Sequence, residues 1–352
     1  MTSGTKRVFY VTRLAHPIYE EVLSKRPDVR LDKLDETADD GVATAILAQA
    51  HAYQIGSARA EIAPGYRADK DFLKRTPNLL IVSTHAAGYD SVDVKACTDM
   101  GVLVMNQVGG NKEAVAEHVL GLLLCLTKRI VEADRRTRRE PGIDRNVFMG
   151  HDAVGRTIGI VGLGNIGTRL AALSRALSMR VLACDPYLSE AEVTARGAEK
   201  VELPELMRRA DYVSVNCPLT EETRGMIGAR EFSLMQPHAY FITTARGHIH
   251  DEDALLDALR NEAIAGAGLD VWATEPPPLD HPLLQLDNVI VTPHTAGMTH
   301  EARVTIGRIA AEQLIDAFDG KRPPRMVNPQ AWPHYARRFA RAFGFQPAEP
   351  VG

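Results

Sequence analysis

Short apolar runs alternate with longer helical stretches along most of the chain, and this alternation predicts the fold. In the first hundred residues Arg7–Thr12 (RVFYVT), Leu79–Ser83 (LLIVS) and Gly101–Asn106 (GVLVMN) read as short strands, and His16–Lys25 as a helix. Asn111–Ile130 (NKEAVAEHVLGLLLCLTKRI) reads as a long helix, with Glu113 in its first turn and Lys128 and Arg129 in its last, as the helix dipole favours. A second series begins at Thr157. TIGIVG is a strand, Asn165–Leu177 a helix and Arg180–Asp185 a strand, and further strands are expected at Tyr212–Asn216, Ala239–Thr243, Ala265–Leu269 and Asn288–Val291. Glu301–Phe318 is amphipathic and helical, and Pro323–Pro324 stops it. Strands alternating with helices imply parallel sheets joined by crossover helices. The tail beyond Asn328 sets Trp332, Tyr335, Phe339 and Phe343 among Arg337, Arg338 and Arg341, and is expected to pack on the first domain or on a neighbouring subunit.

Composition narrows the class. A chain of 352 residues suits about two domains of roughly 150 residues each. With 41 basic and 45 acidic residues the net charge is −4, and 24% charged and 45% hydrophobic residues fit a globular protein rather than a disordered or fibrous one. The mildly acidic balance argues against a nucleic-acid partner, which needs clustered Lys and Arg. The longest apolar run, Val119–Leu126, is far short of the roughly 20 residues a bilayer demands, so no membrane partner is expected. No signal-peptide pattern is visible, and Cys97, Cys125, Cys184 and Cys217 form no CxxC pair; the expectation is free thiols in the cytoplasm.

Candidate chemistry begins at Gly162-Leu-Gly164-Asn-Ile-Gly167, between a strand and a helix. Alone, a GxGxxG is weak evidence. Here Asp185 ends the next strand 23 residues after Gly162, where a dinucleotide fold places its ribose-binding acid. Gly162 permits the tight turn, Gly164 lets the backbone approach a pyrophosphate, and Gly167 allows close helix–strand packing. The pyrophosphate then sits on the helix N-terminus. A carboxylate at Asp185 accepts from both ribose hydroxyls and repels a 2′-phosphate, so the cofactor expected is NAD.

Three later segments each follow a predicted strand: Thr243-Thr244-Ala245-Arg246-Gly247, Asp270-Val-Trp-Ala-Thr-Glu275 and Thr292-Pro-His294-Thr-Ala-Gly297. In a doubly wound sheet such strand ends converge on one crevice, which would bring Arg246, Glu275 and His294 to the nicotinamide. At this point the sequence resembles the D-isomer-specific 2-hydroxyacid dehydrogenase family. The resemblance covers roughly residues 80 to 328 and rests on GLGNIG with Asp185, NCPLTEETRG (216–225), TTARG (243–247), LDVWATEP (269–276) and TPHTAG (292–297).

The resemblance implies hydride transfer between NAD(H) and a small 2-ketoacid or D-2-hydroxyacid, with Arg246, Glu275 and His294 catalytic. Arg246 would hold the substrate carboxylate and polarise the carbonyl, His294 would exchange a proton with the carbonyl oxygen, and Glu275 would orient His294. It further implies cofactor contacts at Asn165, Ile166, Cys217, Thr223, Thr244, Ala245, Asp270, His294 and Ala296, with Thr244, Ala245 and Asp270 facing the nicotinamide ring and its carboxamide. His85-Ala-Ala87-Gly88-Tyr-Asp90 resembles the substrate loop, whose N–H groups at Ala87 and Gly88 would bind the carboxylate. The implied architecture is two doubly wound parallel-sheet α/β domains: a Rossmann NAD-binding domain (111–298) inserted into a flavodoxin-like substrate domain (1–110 and 299–352). Helices near 111–130 and 299–318 would cross the hinge, and the assembly would be a homodimer built through the nucleotide domains.

Several residues invite sharper readings than they support. Cys217 reads as a small buried hydrophobe rather than a nucleophile. His85 reads as a structural or solvated histidine before a substrate contact. His248 and His250 form an HxH pair at a place where the family commonly has an apolar residue at the second position, and two histidines alone rarely make a metal site, so no metal is expected. His118 and Glu117 read as packing or interdomain contacts, and Arg135–Arg139 as a solvated basic face.

Within the family, Glu275 and Pro293 speak against a formate dehydrogenase, and the lack of Lys between 76 and 94 against a phosphite dehydrogenase. About 25 residues after Asn328 are too few for the regulatory domain of a long phosphoglycerate dehydrogenase. Glyoxylate or hydroxypyruvate reductase, D-lactate-type and short phosphoglycerate dehydrogenase readings stay open. So does an alternative of another class, an NADH-sensing corepressor-like binding module without significant turnover.

Overall fold

The computed structural model describes residues 4–348, and the chain divides into two compact units. Residues up to Asn111 and from His300 onward form the first; Lys112–Thr299 form the second. The first unit holds β1 (Lys6–Val11), β2 (Val29–Leu34), β3 (Ala52–Ile55), β4 (Ile81–Thr84) and β5 (Leu103–Met105) in the order β2-β1-β3-β4-β5, every neighbouring pair parallel. This is the winding of a flavodoxin-like sheet. The second unit holds β6 (Thr157–Val161), β7 (Arg180–Cys184), β8 (Glu199–Lys200), β9 (Tyr212–Val215), β10 (Tyr240–Thr243), β11 (Gly266–Leu269) and β12 (Val289–Val291). Its order, β12-β11-β10-β9-β6-β7-β8, is parallel throughout and reverses between β9 and β6, as in a Rossmann sheet.

Central parallel strands are covered on both faces, so they read as unbroken apolar runs. β4, β5, β6 and β9 are buried at every residue and are the strands the sequence announces most clearly. Two strands of the first unit escape the apolar pattern. β2 (VRLDKL) lies at the sheet edge and mixes charged with apolar residues, and β3 (AYQI) carries Gln54 in a fully buried strand. The Gln54 amide is accommodated because its Nε2 donates to the Thr84 carbonyl at 3.1 Å.

Among the helices are α1 (Ile18–Leu23), α2 (Lys112–Thr127), α3 (Ile130–Thr137), α4 (Asn165–Ala176), α5 (His300–Phe318) and α6 (Trp332–Phe343). The long helix expected to reach Ile130 ends at Thr127. Arg129 then takes a left-handed φ of 53°, tied to Glu132 at 2.7 Å and to the Val147 carbonyl, and α3 starts in a new direction. Arg135, Arg136 and Arg138 lie on or at the end of α3, which buries none of its residues. There Arg136 pairs with Glu132 and Glu140, and Arg138 with Asp134.

The aromatic tail is α6. Trp332, Tyr335, Phe339 and Phe343 recur at helical spacing, and all four are buried in the core of the first unit with Leu314 and Phe318 of α5 and Val8 and Leu103 of the sheet. Of the two expected seats, this is packing on the first domain. Arg338 adds bonds to the Pro77 and Met100 carbonyls. Because Phe339 has no exposed surface, Phe339→Ala should cost about 3–5 kcal/mol of unfolding free energy, read from the urea midpoint of the first unit. A loss below about 1 kcal/mol would show the tail resting on the surface.

Candidate active site

All seven strands of the second sheet run in one direction, so their C-terminal ends lie along one edge. Six of the segments singled out for chemistry leave that edge: Gly162 after β6, Asp185 after β7, Asn216 and Cys217 after β9, Thr244–Arg246 after β10, Asp270 after β11, and Thr292–His294 after β12.

The turn after β6 fits a dinucleotide. Gly162 has φ +90° and sits so close to Cys217 that a Cβ would lie 2.7 Å from the Cys217 amide nitrogen. A Cβ on Gly167 would run into the Gly162 carbonyl, so α4 can start this near the strand only with glycine there. Gly164 is the N-cap of α4, with no side chain capping the helix and open space where its Cβ would be. Asn165 and Ile166 form the first turn of the helix behind it. Uncapped N–H groups beside open space are what a pyrophosphate requires. Asp185 is partly buried and fixed by two backbone donors, the Leu163 N–H at 2.9 Å and the Tyr187 N–H at 3.1 Å. Its carboxylate is thereby locked to the glycine turn, one strand over from the pyrophosphate position.

Glu275 and His294 meet directly. The Glu275 Oε2 lies 2.8 Å from His294 Nδ1, and Glu275 Oε1 accepts the Trp272 N–H at 3.1 Å. Burial alone would raise the Glu275 carboxyl, but the His294 bond and charge, the Trp272 N–H and the charge of Arg246 together hold it below the usual carboxylate range. An ionised Glu275 can only accept, so Nδ1 donates to it and Nε2 is the ring nitrogen not engaged by Glu275. The Arg246 Nη1 donates to the Ala245 carbonyl at 2.7 Å.

His294 has φ +57°, in the left-handed region, a conformation that costs about 1–2 kcal/mol and has to be held from outside. Asp270 holds it. This carboxylate has no exposed surface; Oδ1 accepts from the Thr292 hydroxyl at 2.6 Å and the Thr295 N–H at 2.7 Å, and Oδ2 from the Ala296 N–H at 2.9 Å. The Asp270 carbonyl accepts the His294 N–H itself at 2.8 Å. Trp272, nearly buried, reaches from the same loop to the Thr292 carbonyl through Nε1 at 3.3 Å, and Glu252 accepts the Ala273 N–H at 2.7 Å. Sequence reasoning misses Trp272, Glu252 and Thr292 as supports, because their roles depend on loops far apart in the chain.

A family profile described as "D-isomer specific 2-hydroxyacid dehydrogenase, NAD binding domain" matches residues 120–296. The glyoxylate reductase of Korarchaeum cryptofilum is 40% identical over 263 residues, 74% of this chain and 79% of that protein. The chain belongs to the D-isomer specific 2-hydroxyacid dehydrogenase family. A D-3-phosphoglycerate dehydrogenase of Archaeoglobus fulgidus is 38% identical over 262 residues, but the match spans only 50% of that relative's length. Among solved structures, the D-lactate dehydrogenase of Aquifex aeolicus complexed with NAD and lactic acid superposes with a TM-score of 0.76 at 28% identity, covering 89% of this chain and 96% of that one. As a member of this family of dehydrogenases, the chain is an NAD-dependent oxidoreductase acting on a CH–OH group, and the binding-module alternative is not favoured.

Other candidates take quieter places in this dehydrogenase. Burial pushes the Cys217 thiol up to about 11, which suits a packing residue and not a nucleophile. Thr223 is half-buried and ties its own loop, its hydroxyl donating to the Pro218 carbonyl at 2.7 Å. Thr244 and Ala296 are buried, and Ala245 partly so. In the first unit, the loop after β4 is pinned by the Ala86 N–H on the Ser57 hydroxyl at 2.8 Å and by Asn106 on the Ala87 carbonyl at 2.8 Å. Among the described residues the Ala87 and Gly88 N–H groups have no partner. No helix among the described residues is long and apolar enough to cross a membrane, and no group of three or more His, Cys, Asp or Glu among them could hold a metal.

His85 and His250 are both core residues, 8% and 4% exposed, and among the described residues neither ring nitrogen of His250 has a hydrogen-bond partner. Burial lowers His85 to about 3, with Arg303 and Arg13 adding repulsion, and lowers His250 to about 4. Both are therefore neutral in the folded protein at pH 7, whereas an unfolded imidazole titrates near about 6.5. Their stability contribution is complete above that value and is lost as pH falls toward 4 and then 3, by roughly 2 kcal/mol each at pH 5. His250→Leu should make the fall in melting temperature between pH 7 and pH 5 shallower; an unchanged slope would mean the ring is solvated. Asp185→Ser should narrow the preference for NAD over NADP severalfold, measured as the ratio of kcat/KM, and an unaltered ratio would remove Asp185 from the ribose site.

Proposed function

We propose that this dehydrogenase interconverts a small 2-ketoacid and its D-2-hydroxyacid, with Arg246, Glu275 and His294 as the working residues. The observation that carries the reading is the Glu275–His294 bond of 2.8 Å, within reach of the Arg246 charge and on the strand edge that carries the glycine turn. Bound NADH supplies the hydride. Arg246 offers a planar fork of donors to the substrate carboxylate and to the carbonyl oxygen. His294 gives the Nε2 proton to that oxygen during reduction and takes it back during oxidation. Glu275 stays ionised through both directions, keeps the proton on Nδ1 and stabilises the imidazolium once His294 holds both protons. Ala87 and Gly88 present two unpartnered N–H groups on a pinned loop, which suits carboxylate binding.

The relatives favour a short side chain on the substrate, since glyoxylate reductases stand among them at 40% and 38% identity. A cytoplasmic homodimer is the assembly proposed. Ile130, Val147, Met149 and Val154 expose apolar surface in one stretch of the second unit, which supports self-association there. The test is NADH oxidation against glyoxylate, hydroxypyruvate, pyruvate, phosphohydroxypyruvate and a bulky aromatic 2-ketoacid, with His294→Ala alongside. Turnover is expected with one or more of the small ketoacids, and the variant should lose kcat by about 10²–10⁴ while still binding NADH. Silence across the panel, or near-normal turnover by His294→Ala, would contradict the assignment.

A further inference from the structure

His118 sits on α2, outside the strand edge that carries the chemistry, yet its ring is tied to the loop of His294. Its Nε2 lies 3.1 Å from the Thr292 hydroxyl, which lies 2.6 Å from Asp270 Oδ1; His118 Nε2 itself is 3.8 Å from that oxygen. The direction of these bonds follows from chemistry. An ionised carboxylate only accepts, so the single Thr292 proton points to Asp270, and the Thr292 oxygen is left to accept from His118. His118 therefore carries a proton on Nε2, whether its ring is neutral or charged.

Resting on the proposed role of His294, we propose that His118 is a positioning residue for it, acting through Thr292 and Asp270. Its N–H holds the Thr292 hydroxyl in the orientation that donates to Asp270. Asp270 then keeps both oxygens on the segment 292–296, where the Thr295 and Ala296 N–H groups and the left-handed His294 are anchored. Without the His118 donor the Thr292 hydroxyl is free to turn, the Asp270 carboxylate loses one of its three donors, and a buried carboxylate short of a donor pulls its loop out of register. A catalytic group misplaced by an ångström can lose about a hundredfold in rate. This role explains why a polar residue, 23% exposed, occupies a helix whose neighbouring Val115, Ala116, Val119 and Leu122 are buried.

Two pairs of variants test this. His118→Leu and Thr292→Val each remove one hydrogen-bonding group at similar volume; His118→Gln and Thr292→Ser restore it. The first two should lower kcat about tenfold to a hundredfold, change KM and NADH affinity by less than about threefold, and speed amide hydrogen exchange across 292–296 in the protein without substrate. The conservative variants should recover kcat to within about threefold, and His118→Leu combined with Thr292→Val should cost little more than either alone. Equal losses in His118→Leu and His118→Gln, or kcat within twofold of the parent in Thr292→Val with unchanged exchange, would overturn the proposal. Should His118→Leu fail to fold, the Thr292 pair decides alone. His294→Ala separates the two levels: an inactive His294→Ala beside a normal His118→Leu removes only this inference, whereas an active His294→Ala removes the reading beneath it.

Discussion

Asp270 places a carboxylate where no water reaches it, and such a group persists only when donors surround it. The donors here come from the loop that carries His294, so the need to satisfy one buried charge fixes the backbone of that histidine. The left-handed φ of His294 is the visible consequence. Glu275 then has only the ring left to orient, and does so from its own loop, braced by the Trp272 N–H. Position is thus set twice, once through the backbone and once through the side chain.

The same edge of the sheet divides its labour by strand. On one side of the β9–β6 reversal lie the glycine turn and Asp185, where backbone N–H groups suit the pyrophosphate of a dinucleotide and a fixed carboxylate suits one of its riboses. On the other side lie β10, β11 and β12 with Arg246, Asp270 and His294. Parallel register delivers these residues to one edge without any of them being near another in sequence.

Much of this architecture is legible in the residues alone. The buried central strands show as unbroken apolar runs, and the glycine turn and Asp185 are readable because their spacing is set by one strand–helix–strand unit. What escapes detection shares a physical cause. β2 and β3 carry charge or a buried amide that breaks the apolar pattern, and Arg129 ends α2 through a conformation that no composition rule marks. In the site, the pairing of Asp270 with Thr292 and of Thr292 with His118 depends on bonds between residues 22 and 174 positions apart. The family resemblance points Asp270 at the cofactor. Its side chain also accepts three hydrogen bonds from the His294 loop, a role visible only once β11 and β12 are seen side by side.

In the proposed reaction, Arg246 and the Glu275–His294 pair close on one substrate group. A crystal structure with NADH and oxamate, an unreactive mimic of a 2-ketoacid, tests it most directly. The oxamate carboxylate is expected on the Arg246 guanidinium and its carbonyl oxygen about 3 Å from His294 Nε2, with the Glu275 bond to Nδ1 intact. Oxamate bound away from Arg246, or a His294 ring turned off Glu275 in that complex, would contradict it.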